Sequence, residues 1–300
     1  MRIGIDLGGS HIGVGLIDNG EILYKVEKDL QEDEKGTLKI IDLIKKILKT
    51  IIEQNELKKG KLDVIGIACP GVVENGIVRK SENLNIPEID FKKELENDFK
   101  GIKIIVRNDT KCAALAEKEY GILKEYSNCA MLTIGTGIGG AIFYKGNLLE
   151  GRNSSAYELG HIIINKNGKK CSCGAKGCFE AYASIGSLKE EISNALKLDK
   201  RINGIDLVEL IKKSDKNDIS YKIFEEYIDN LCVGIASICN IFEPEAIALG
   251  GSIVYYKDLI LEKLENKLKN SEYVFNKKEL PKILMAKLNN DAGMIGATIL

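Results

Sequence analysis

The chain has 300 residues, of which 44% are hydrophobic and 29% are charged, the composition of a globular protein with a full core. Its 43 lysines and arginines nearly balance 44 aspartates and glutamates, and the formal net charge is −1. Because this balance provides no general basic field, we expect neither nucleic acid nor an anionic membrane as a partner. Any anion must then be bound locally.

Membrane insertion and secretion are not expected. No apolar run reaches the roughly 18 residues of a membrane span, and the first residues lack the apolar core of a signal peptide. We therefore expect a cytoplasmic location, where cysteines scattered through apolar segments are reduced core residues rather than disulfide partners. These cysteines are Cys69, Cys112, Cys129, Cys232 and Cys239.

The first part of the chain predicts strands followed by helices. Short apolar segments predict strands over 2–6, 11–18, 21–28, 62–68 and 102–106. Apolar residues spaced by three and four predict amphipathic helices over 37–57 and 112–117. The strand over 102–106 runs into Asn108 and Asp109, which are therefore expected between a strand end and a helix start.

The order of strand, glycine turn and strand recurs from residue 129. Strands are predicted over 129–134, 141–144, 246–249 and 283–286, with glycine turns at 135–140 and 250–252. Helices are predicted over 219–242, over 259–268 and after residue 291. The repetition predicts a two-lobed α/β protein with the active site between the lobes. We assign 1–118, completed by the C-terminal helix 290–300, to the first lobe and 119–289 to the second.

Two glycine turns, one in each predicted lobe, are candidates for binding phosphate. Turns such as Gly8-Gly9-Ser10 and 135–140 let backbone N–H groups approach phosphate oxygens, and a pair of them could hold a polyphosphate. Ordinary hairpin turns are the alternative. The spacing of Gly135, Gly137 and Gly140 matches a dinucleotide fingerprint, but β-branched and aromatic residues follow it where that fold requires a helix.

Asp6 is a candidate for binding Mg²⁺. It ends the first predicted strand directly before a glycine turn, and Mg²⁺ prefers one or two carboxylates together with substrate phosphates. An aspartate that only caps a turn is the alternative interpretation.

Four potential zinc ligands are close in sequence: His161, Cys171, Cys173 and Cys178. Nitrogen and thiolate ligands alone, with no position open to water, are typical of structural Zn²⁺. Buried cysteines beside a chance histidine are the alternative, although free cysteines rarely cluster as C-x-C-x4-C beside two glycines. Glu158 and Glu180 flank this segment, so the metal would also position two carboxylates.

The chain resembles the ROK family, named for repressor, open reading frame and kinase, over nearly its whole length. The most specific motifs are Glu158-Leu-Gly-His161 and Cys171-Ser-Cys-Gly-Ala-Lys-Gly-Cys178-Phe-Glu180. The others are Asp6-Leu-Gly-Gly-Ser10, Pro70-Gly71, Asn83-Leu84, Asn108-Asp109, Gly135 to Gly140, Pro244 through Gly250-Gly251, and Gly296-Ala297. The resemblance implies a sugar kinase with the two-lobed actin-like ATPase (ribonuclease H-like) fold and a homo-oligomeric state, a dimer or tetramer.

The resemblance also implies residue roles. Asp109 would be the general base toward the sugar hydroxyl. The other substrate-binding residues would be Gly71, Asn83, Asn108, Glu158, His161 and Glu180. The residues binding ATP and Mg²⁺ would be Asp6, Gly8, Gly9, Ser10, Thr136, Gly137, Gly250 and Gly251. Zn²⁺ would be held by His161, Cys171, Cys173 and Cys178, with the second ring nitrogen of the histidine facing the sugar.

The chemistry of phosphoryl transfer agrees with these roles. The protein must mainly align the donor and the acceptor and neutralise charge, which leaves one carboxylate to accept the hydroxyl proton. Asp109 near a helix start should be ionised, although a plain N-cap is the alternative there. Two positions depart from the family pattern: His11 replaces a common lysine, and Lys111 replaces the second asparagine of N-D-A-N.

We therefore predict an ATP- and Mg²⁺-dependent kinase of carbohydrate metabolism that phosphorylates the 6-hydroxyl of a hexose, with glucose preferred, as in glycolysis. N-acetylmannosamine or another hexose is the runner-up, because residues that make room for a 2-acetamido group lie in loops such as 71–90. A sugar-sensing regulator would need a helix-turn-helix region before the first strand, where we expect no room. A zinc-ribbon interaction module would leave the glycine turns unexplained.

Overall fold

The computed structural model describes residues 1–55, 62–154 and 156–300. The strands, in chain order, are β1 (Arg2–Leu7), β2 (His11–Asp18), β3 (Glu21–Asp29), β4 (Val64–Cys69), β5 (Val72–Glu74), β6 (Ile77–Lys80), β7 (Lys103–Asn108), β8 (Cys129–Ile134), β9 (Ile138–Tyr144), β10 (Asn147–Leu148), β11 (Ala246–Gly250) and β12 (Lys282–Met285). The α-helices are α1 (Thr37–Gln54), α2 (Phe91–Leu95), α3 (Asp109–Glu119), α4 (Glu180–Ala183), α5 (Ile185–Ala195), α6 (Gly204–Lys213), α7 (Ile219–Phe242), α8 (Lys257–Asn270) and α9 (Ala292–Ala297).

Contacts divide the chain into two compact units. Unit 1 comprises Met1–Lys124, Glu150–Ala156 and Lys287–Leu300, and unit 2 comprises Glu125–Leu149 and Tyr157–Ala286. The first division follows Lys124, within the range 118–126 in which the sequence places the seam between the lobes. The segment Glu150–Ala156 belongs to unit 1, although the sequence assigned it to the second lobe.

Unit 1 contains a five-stranded sheet in the order β3-β2-β1-β4-β7 and a separate hairpin of β5 and β6. Strand β1 is antiparallel to β2 and parallel to β4, which is parallel to β7. The stripe predicted for α1 is buried, as expected for an amphipathic helix. The helix ends at Gln54, and residues 56 and 57, included in the prediction, lie outside the described residues.

Unit 2 contains a five-stranded sheet in the order β10-β9-β8-β11-β12. Strand β8 is antiparallel to β9 and parallel to β11, which is parallel to β12. Both units therefore have the same strand order and directions, which agrees with the repeated layout read from the sequence. The long helix α7 packs its apolar stripe into the core of this unit, with Phe224, Ile228, Leu231 and Ile235 completely buried.

Glycines allow the short C-terminal helix α9 to lie directly on the sheet of unit 1. A Cβ added to Gly4 on β1 would be 2.0 Å from the carbonyl oxygen of Met294. A Cβ added to Gly66 on β4 would be 2.0 Å from that of Ala297. No larger residue fits at such distances, so these glycines are needed for the close backbone approach.

Two sequence-based boundaries change by three residues, and one hairpin was not predicted. Strand β9 begins at Ile138 rather than at residue 141, because Gly139 and Gly140 already pair with β8; the turn is therefore limited to Gly135–Gly137. Helix α3 begins at Asp109 rather than at residue 112. The hairpin that was not predicted is formed by β5 and β6. Among the described residues, no helix combines the length and apolar character needed to cross a membrane.

Candidate active site

The predicted sugar and magnesium residues of unit 1 lie at the carboxyl ends of parallel strands. Asp6 pairs in register with Ala68 on β4, and Cys69 on β4 pairs with Asn108 on β7. Carboxyl ends of parallel strands meet at one edge of a sheet, which is where α/β proteins bind ligands. The fold thus brings Asp6 and Asn108 to the same sheet edge.

Asn108 is the N-cap of α3 and also fixes Gly71. Its Oδ1 accepts a hydrogen bond from Lys111 N at 3.3 Å, and its Nδ2 donates to the Gly71 carbonyl at 3.2 Å. Gly71 has a φ of 98°, and an added Cβ would be 2.2 Å from Lys80 O, so the turn requires glycine. Two predicted sugar residues, Gly71 and Asn108, are therefore in direct contact.

Asp109 is not the plain N-cap that the sequence left open, because Asn108 performs that function. The carboxylate of Asp109 accepts a hydrogen bond from Thr110 N at 2.8 Å. Burial raises the pKa of Asp109, while the hydrogen bond from Thr110 lowers it by a smaller amount. Asp109 therefore keeps a poorly solvated carboxylate at the start of α3, as a proton acceptor would.

Asp6 and Asp109 interact electrostatically. Burial and, to a smaller extent, the charge of Asp109 raise the pKa of Asp6 to about 7, while the charge of Lys25 opposes the shift. The space beside Asp6 is tight, since a Cβ added to Gly293 would be 2.3 Å from its Oδ2. A hard divalent cation such as Mg²⁺ bound at Asp6 would relieve the repulsion between the two carboxylates.

The turn from Gly8 to Ser10 lies against Asn83. A Cβ added to Gly9 would be 2.9 Å from Asn83 Cβ, so the two residues are in contact. A Cβ added to Gly8 would be 2.6 Å from Cε1 of His11, which places the imidazole over this turn. Ser10 is exposed at its tip. In unit 1 the turn predicted to bind phosphate is thus directly beside a predicted sugar residue.

In unit 2 the four predicted zinc ligands come together. The ligand atoms of His161, Cys171, Cys173 and Cys178 all lie within 4.8 Å of one another. Sγ of Cys171 is 3.8 Å from Nδ1 of His161, and the other two Sγ atoms are 3.7 Å apart. Zn–S bonds of about 2.3 Å in a tetrahedron place two thiolates about 3.8 Å apart, so the side chains fit Zn²⁺.

Backbone turns build this loop. Gly174 has a φ of 91° and its N–H donates to Cys171 O at 3.0 Å, which closes the turn between the first two cysteines. Gly177 has a φ of 80°, and an added Cβ would be 1.8 Å from Asn165 O. Phe179 N donates to Ile162 O at 2.8 Å, which ties the loop beside the histidine. The two loop glycines therefore bring cysteines that are 10 to 17 residues away in sequence next to His161.

Glu180 connects the cysteine loop with the glycine turn of the same unit. Its Oε1 accepts a hydrogen bond from Ser172 Oγ at 2.9 Å, and its Oε2 accepts one from Ile138 N at 2.8 Å. A Cβ added to Gly137 would be 2.3 Å from Oε2, so any larger residue there would displace the carboxylate. Ser172 was not identified from the sequence, because nothing in C-x-C marks the middle residue as a partner of Glu180.

Glu158 precedes a short 3₁₀ turn, Leu159–His161. His161 N donates to Glu158 O at 3.0 Å, and Glu158 is an exposed residue. A Cβ added to Gly160 would be 2.0 Å from Ile138 O, so glycine lets this turn lie on the start of β9. Glu158 and Glu180 are thus both anchored near Ile138.

The two glycine turns of unit 2 are neighbours. Because Thr133 on β8 pairs with Gly250 on β11, the turns that follow these strands lie side by side. A Cβ added to Gly251, whose φ is 78°, would be 2.9 Å from Ile134 O. Thr136 is exposed at the tip of the first turn. The residues of unit 2 that were predicted to bind ATP are therefore adjacent.

The sequence model of the ROK family matches residues 2–300. The chain belongs to the ROK family. It is 33% identical to a glucokinase of Thermotoga maritima over 98% of this chain and 95% of the relative. It is 29% identical to a xylose repressor of Bacillus spizizenii over 90% of this chain and 69% of that relative.

The fold also matches solved ROK structures. A ROK family glucokinase from Streptomyces griseus, in complex with glucose and AMPPNP, has a TM-score of 0.80 and 26% identity. The match covers 99% of this chain and 97% of that one. The predicted fold class, the two-lobed actin-like ATPase fold, is confirmed by this similarity to ROK sugar kinases.

One departure from the ROK pattern, Lys111, forms a hydrogen bond within unit 1. Lys111, in place of the second asparagine of N-D-A-N, is buried, and its Nζ donates to Ser154 O. It lines a cavity of about 470 Å³ beside the edge strand β7, together with Asn108. Gly71, Asn83 and Asp109 do not line it. The lysine at this position therefore holds Ser154 against α3, where the family pattern has a neutral amide.

Proposed function

We propose that this ROK protein transfers a phosphoryl group from ATP to the 6-hydroxyl of a hexose, with glucose as the preferred substrate. The observation that carries the proposal is the poorly solvated Asp109 carboxylate, which interacts with Asp6 at the sheet edge of unit 1. The similarity to a glucokinase over 95% of its length supports it. ATP is the proposed donor.

Asp109 is proposed as the general base. Phosphoryl transfer leaves little covalent chemistry to the protein beyond taking the proton of the attacking hydroxyl. Asp109 is suited to this because its pKa is raised by burial, while Asn108, not Asp109, caps the helix. Asn108, Gly71 and Asn83 would hold sugar hydroxyls from unit 1.

Glu158, His161 and Glu180 are proposed to bind the remaining sugar hydroxyls. His161 directs Nδ1 toward the cysteine loop, which leaves Nε2 to the sugar. Zn²⁺ held by His161, Cys171, Cys173 and Cys178 would fix the ring orientation. Carboxylates accept hydroxyl hydrogen bonds strongly, which suits Glu158 and Glu180 for a polyol.

The proposed nucleotide residues are the glycine turns of each unit: Gly8, Gly9, Ser10, Thr136, Gly137, Gly250 and Gly251. Mg²⁺ held by Asp6, directly or through water, would neutralise charge on the transferred phosphoryl group. In such a reaction the chain itself mainly aligns the two substrates and removes one proton. The cytoplasmic location and the homo-oligomeric state stay predictions.

A coupled assay of ADP release tests the proposal. Glucose, mannose, fructose, N-acetylglucosamine and N-acetylmannosamine would be compared at equal concentrations, with and without Mg²⁺. We expect the highest kcat/KM with glucose and no turnover without Mg²⁺. ADP release that does not depend on any of these sugars would contradict the proposal.

A second candidate is a kinase of an N-acetylhexosamine such as N-acetylmannosamine. The cavity beside Asn108, lined in part by the hairpin of β5 and β6, is the observation that favours it, because it has space for a substituent. A higher kcat/KM for an N-acetylhexosamine than for glucose would decide for it. Sugar binding without turnover would instead favour a sugar-sensing regulator.

A further inference from the structure

A group of positive charges lies beside the turn Gly135–Gly137 in unit 2, and none of the roles above uses it. Lys189 is on α5, and Arg201 is in the connection between α5 and α6. Arg201 Nη2 donates to the carbonyl oxygen of Gly186. The connection is fixed on α5, because Ile202 N donates to Ser193 Oγ at 2.9 Å.

Gly186 contacts both Arg201 and the turn Gly135–Gly137. Its N–H donates to Gly135 O at 3.0 Å. A Cβ added to Gly186 would be 2.2 Å from Thr136 O and 3.1 Å from Arg201 Nη2. The turn and the guanidinium group therefore both lie next to Gly186.

The side chain of Lys189 lies beside the N-terminus of α6, which adds a partial positive charge to those of Lys189 and Arg201. A Cβ added to Gly204, the first residue of α6, would be 3.7 Å from Lys189 Nζ and 3.1 Å from the hydroxyl of Tyr256. Helix N-termini carry partial positive charge. Asp206, in the first turn of that helix, accepts a hydrogen bond from Asn203 Nδ2 at 2.7 Å.

Among the described residues, no carboxylate forms an ion pair with the side chain of Lys189 or Arg201. Burial lowers the pKa of Lys189, and the charge of Arg201 lowers it further. Cations held together in this way are unfavourable without a counter-charge, and an anion would supply it.

We propose that Lys189 and Arg201 bind the phosphate groups of the nucleotide held at the turn Gly135–Gly137. This inference rests on the proposed kinase function and adds two residues to its nucleotide site. The glycine N–H groups orient phosphate oxygens, and the two cations neutralise their charge. Neither residue belongs to the glycine motifs from which the nucleotide site was predicted.

Calorimetric titration of the full chain with ADP, AMP and adenosine tests this assignment. Lys189→Met and Arg201→Met each remove a charge while keeping an apolar stem. Each should weaken ADP binding about tenfold, since a hydrogen bond to a charged group is lost. Adenosine affinity should not change, and the difference in ADP affinity should shrink at high salt.

Three controls separate nucleotide binding by these two residues from a general effect of charge and from loss of folding. Lys200→Met removes an exposed charge next to Arg201 and should leave ADP affinity unchanged. Lys189→Arg and Arg201→Lys retain the charges and should keep most of the ADP affinity, which a purely structural role would not require. Thermal unfolding of each variant establishes that it is folded under the titration conditions.

Three results would overturn the assignment. They are unchanged ADP affinity in the double methionine variant, an equal loss of adenosine affinity, and an equal loss in Lys200→Met. Wild-type protein that binds ADP but phosphorylates no sugar would contradict only the proposed function. Wild-type protein that binds no nucleotide would contradict both.

Discussion

Asp109 is the residue on which the proposed chemistry depends most directly. Asp109→Asn keeps the shape of the side chain but cannot accept a proton, so we expect kcat to fall 10²- to 10⁴-fold, the usual contribution of a general base. Sugar affinity should remain close to wild type by calorimetry. A variant that retains more than about a third of wild-type kcat would show that another group takes the proton.

The pH dependence of the reaction should report the raised pKa of Asp109. The base form is lost as pH falls through that pKa, which burial raises above the ordinary value. The acid limb of kcat/KM for the sugar, at saturating Mg²⁺ and ATP, should therefore lie above the value of about 3.9 of a solvated aspartate. An acid limb at or below that value would contradict the assignment.

At the residue scale, the sequence predicted candidate side chains but not their hydrogen-bond partners. Asp6, Asn108 and Asp109 stand at strand ends, which the pattern of apolar segments is sufficient to locate. The hydrogen bond from Asn108 to Gly71 joins residues 37 positions apart, so only the folded sheet brings it about. Lys189 and Arg201 lie on a helix and a loop without any motif.

The cysteine loop is the element whose role is simplest to measure. Elemental analysis of purified protein should find one zinc per chain, because the four ligand atoms lie within 4.8 Å of one another and two of the pairs have the spacing of a zinc tetrahedron. Cys173→Ser should lower zinc content and sugar affinity together. Zinc-free protein with full kinase activity would refute the site.

Ser172 should position Glu180 within the same loop. Ser172→Ala removes the hydrogen bond to Glu180 Oε1, so we expect the KM for the sugar to rise roughly tenfold with kcat changed much less. Zinc content should stay the same, and Ser172→Thr, which keeps the hydroxyl, should restore KM. Equal KM values for wild type and Ser172→Ala would exclude this role.

At the element scale, strand and helix order followed from apolar periodicity, whereas three details did not. The hairpin of β5 and β6 is too short for alternation to be recognised. The start of β9 was placed too late because glycines are poor strand signals, yet Gly139 and Gly140 pair with β8. Helix α3 starts at Asp109 because Asn108 caps it, and either residue is a common N-cap.

At the scale of the whole molecule, unit 1 is assembled from both ends of the chain. The final segment Lys287–Leu300 belongs to the unit that begins at Met1. One completely buried carboxylate, that of Glu117 at the end of α3, helps to hold it. Glu117 Oε1 accepts hydrogen bonds from Lys287 N at 2.7 Å and Leu288 N at 2.6 Å.

The other carboxylate oxygen of Glu117 also accepts a hydrogen bond. Oε2 accepts a hydrogen bond from Ile122 N at 2.8 Å, and a Cβ added to Gly121 would be 2.0 Å from it. A glutamine here would direct an NH₂ group at a backbone N–H, which leaves at least one buried donor without an acceptor. Glu117 therefore stabilises the attachment of the C-terminal segment, although it is remote in sequence from that segment.

Glu117→Gln should lower the free energy of unfolding by about 2–4 kcal/mol, the cost of disrupting hydrogen bonds to a buried charge. Glu119→Gln, an exposed residue of the same helix, is the matched control and should change it by less than about 0.5 kcal/mol. Urea unfolding at pH 7, followed by circular dichroism, measures both. If the two variants unfold at the same urea concentration as wild type, the Glu117 carboxylate does not hold the C-terminal segment in unit 1.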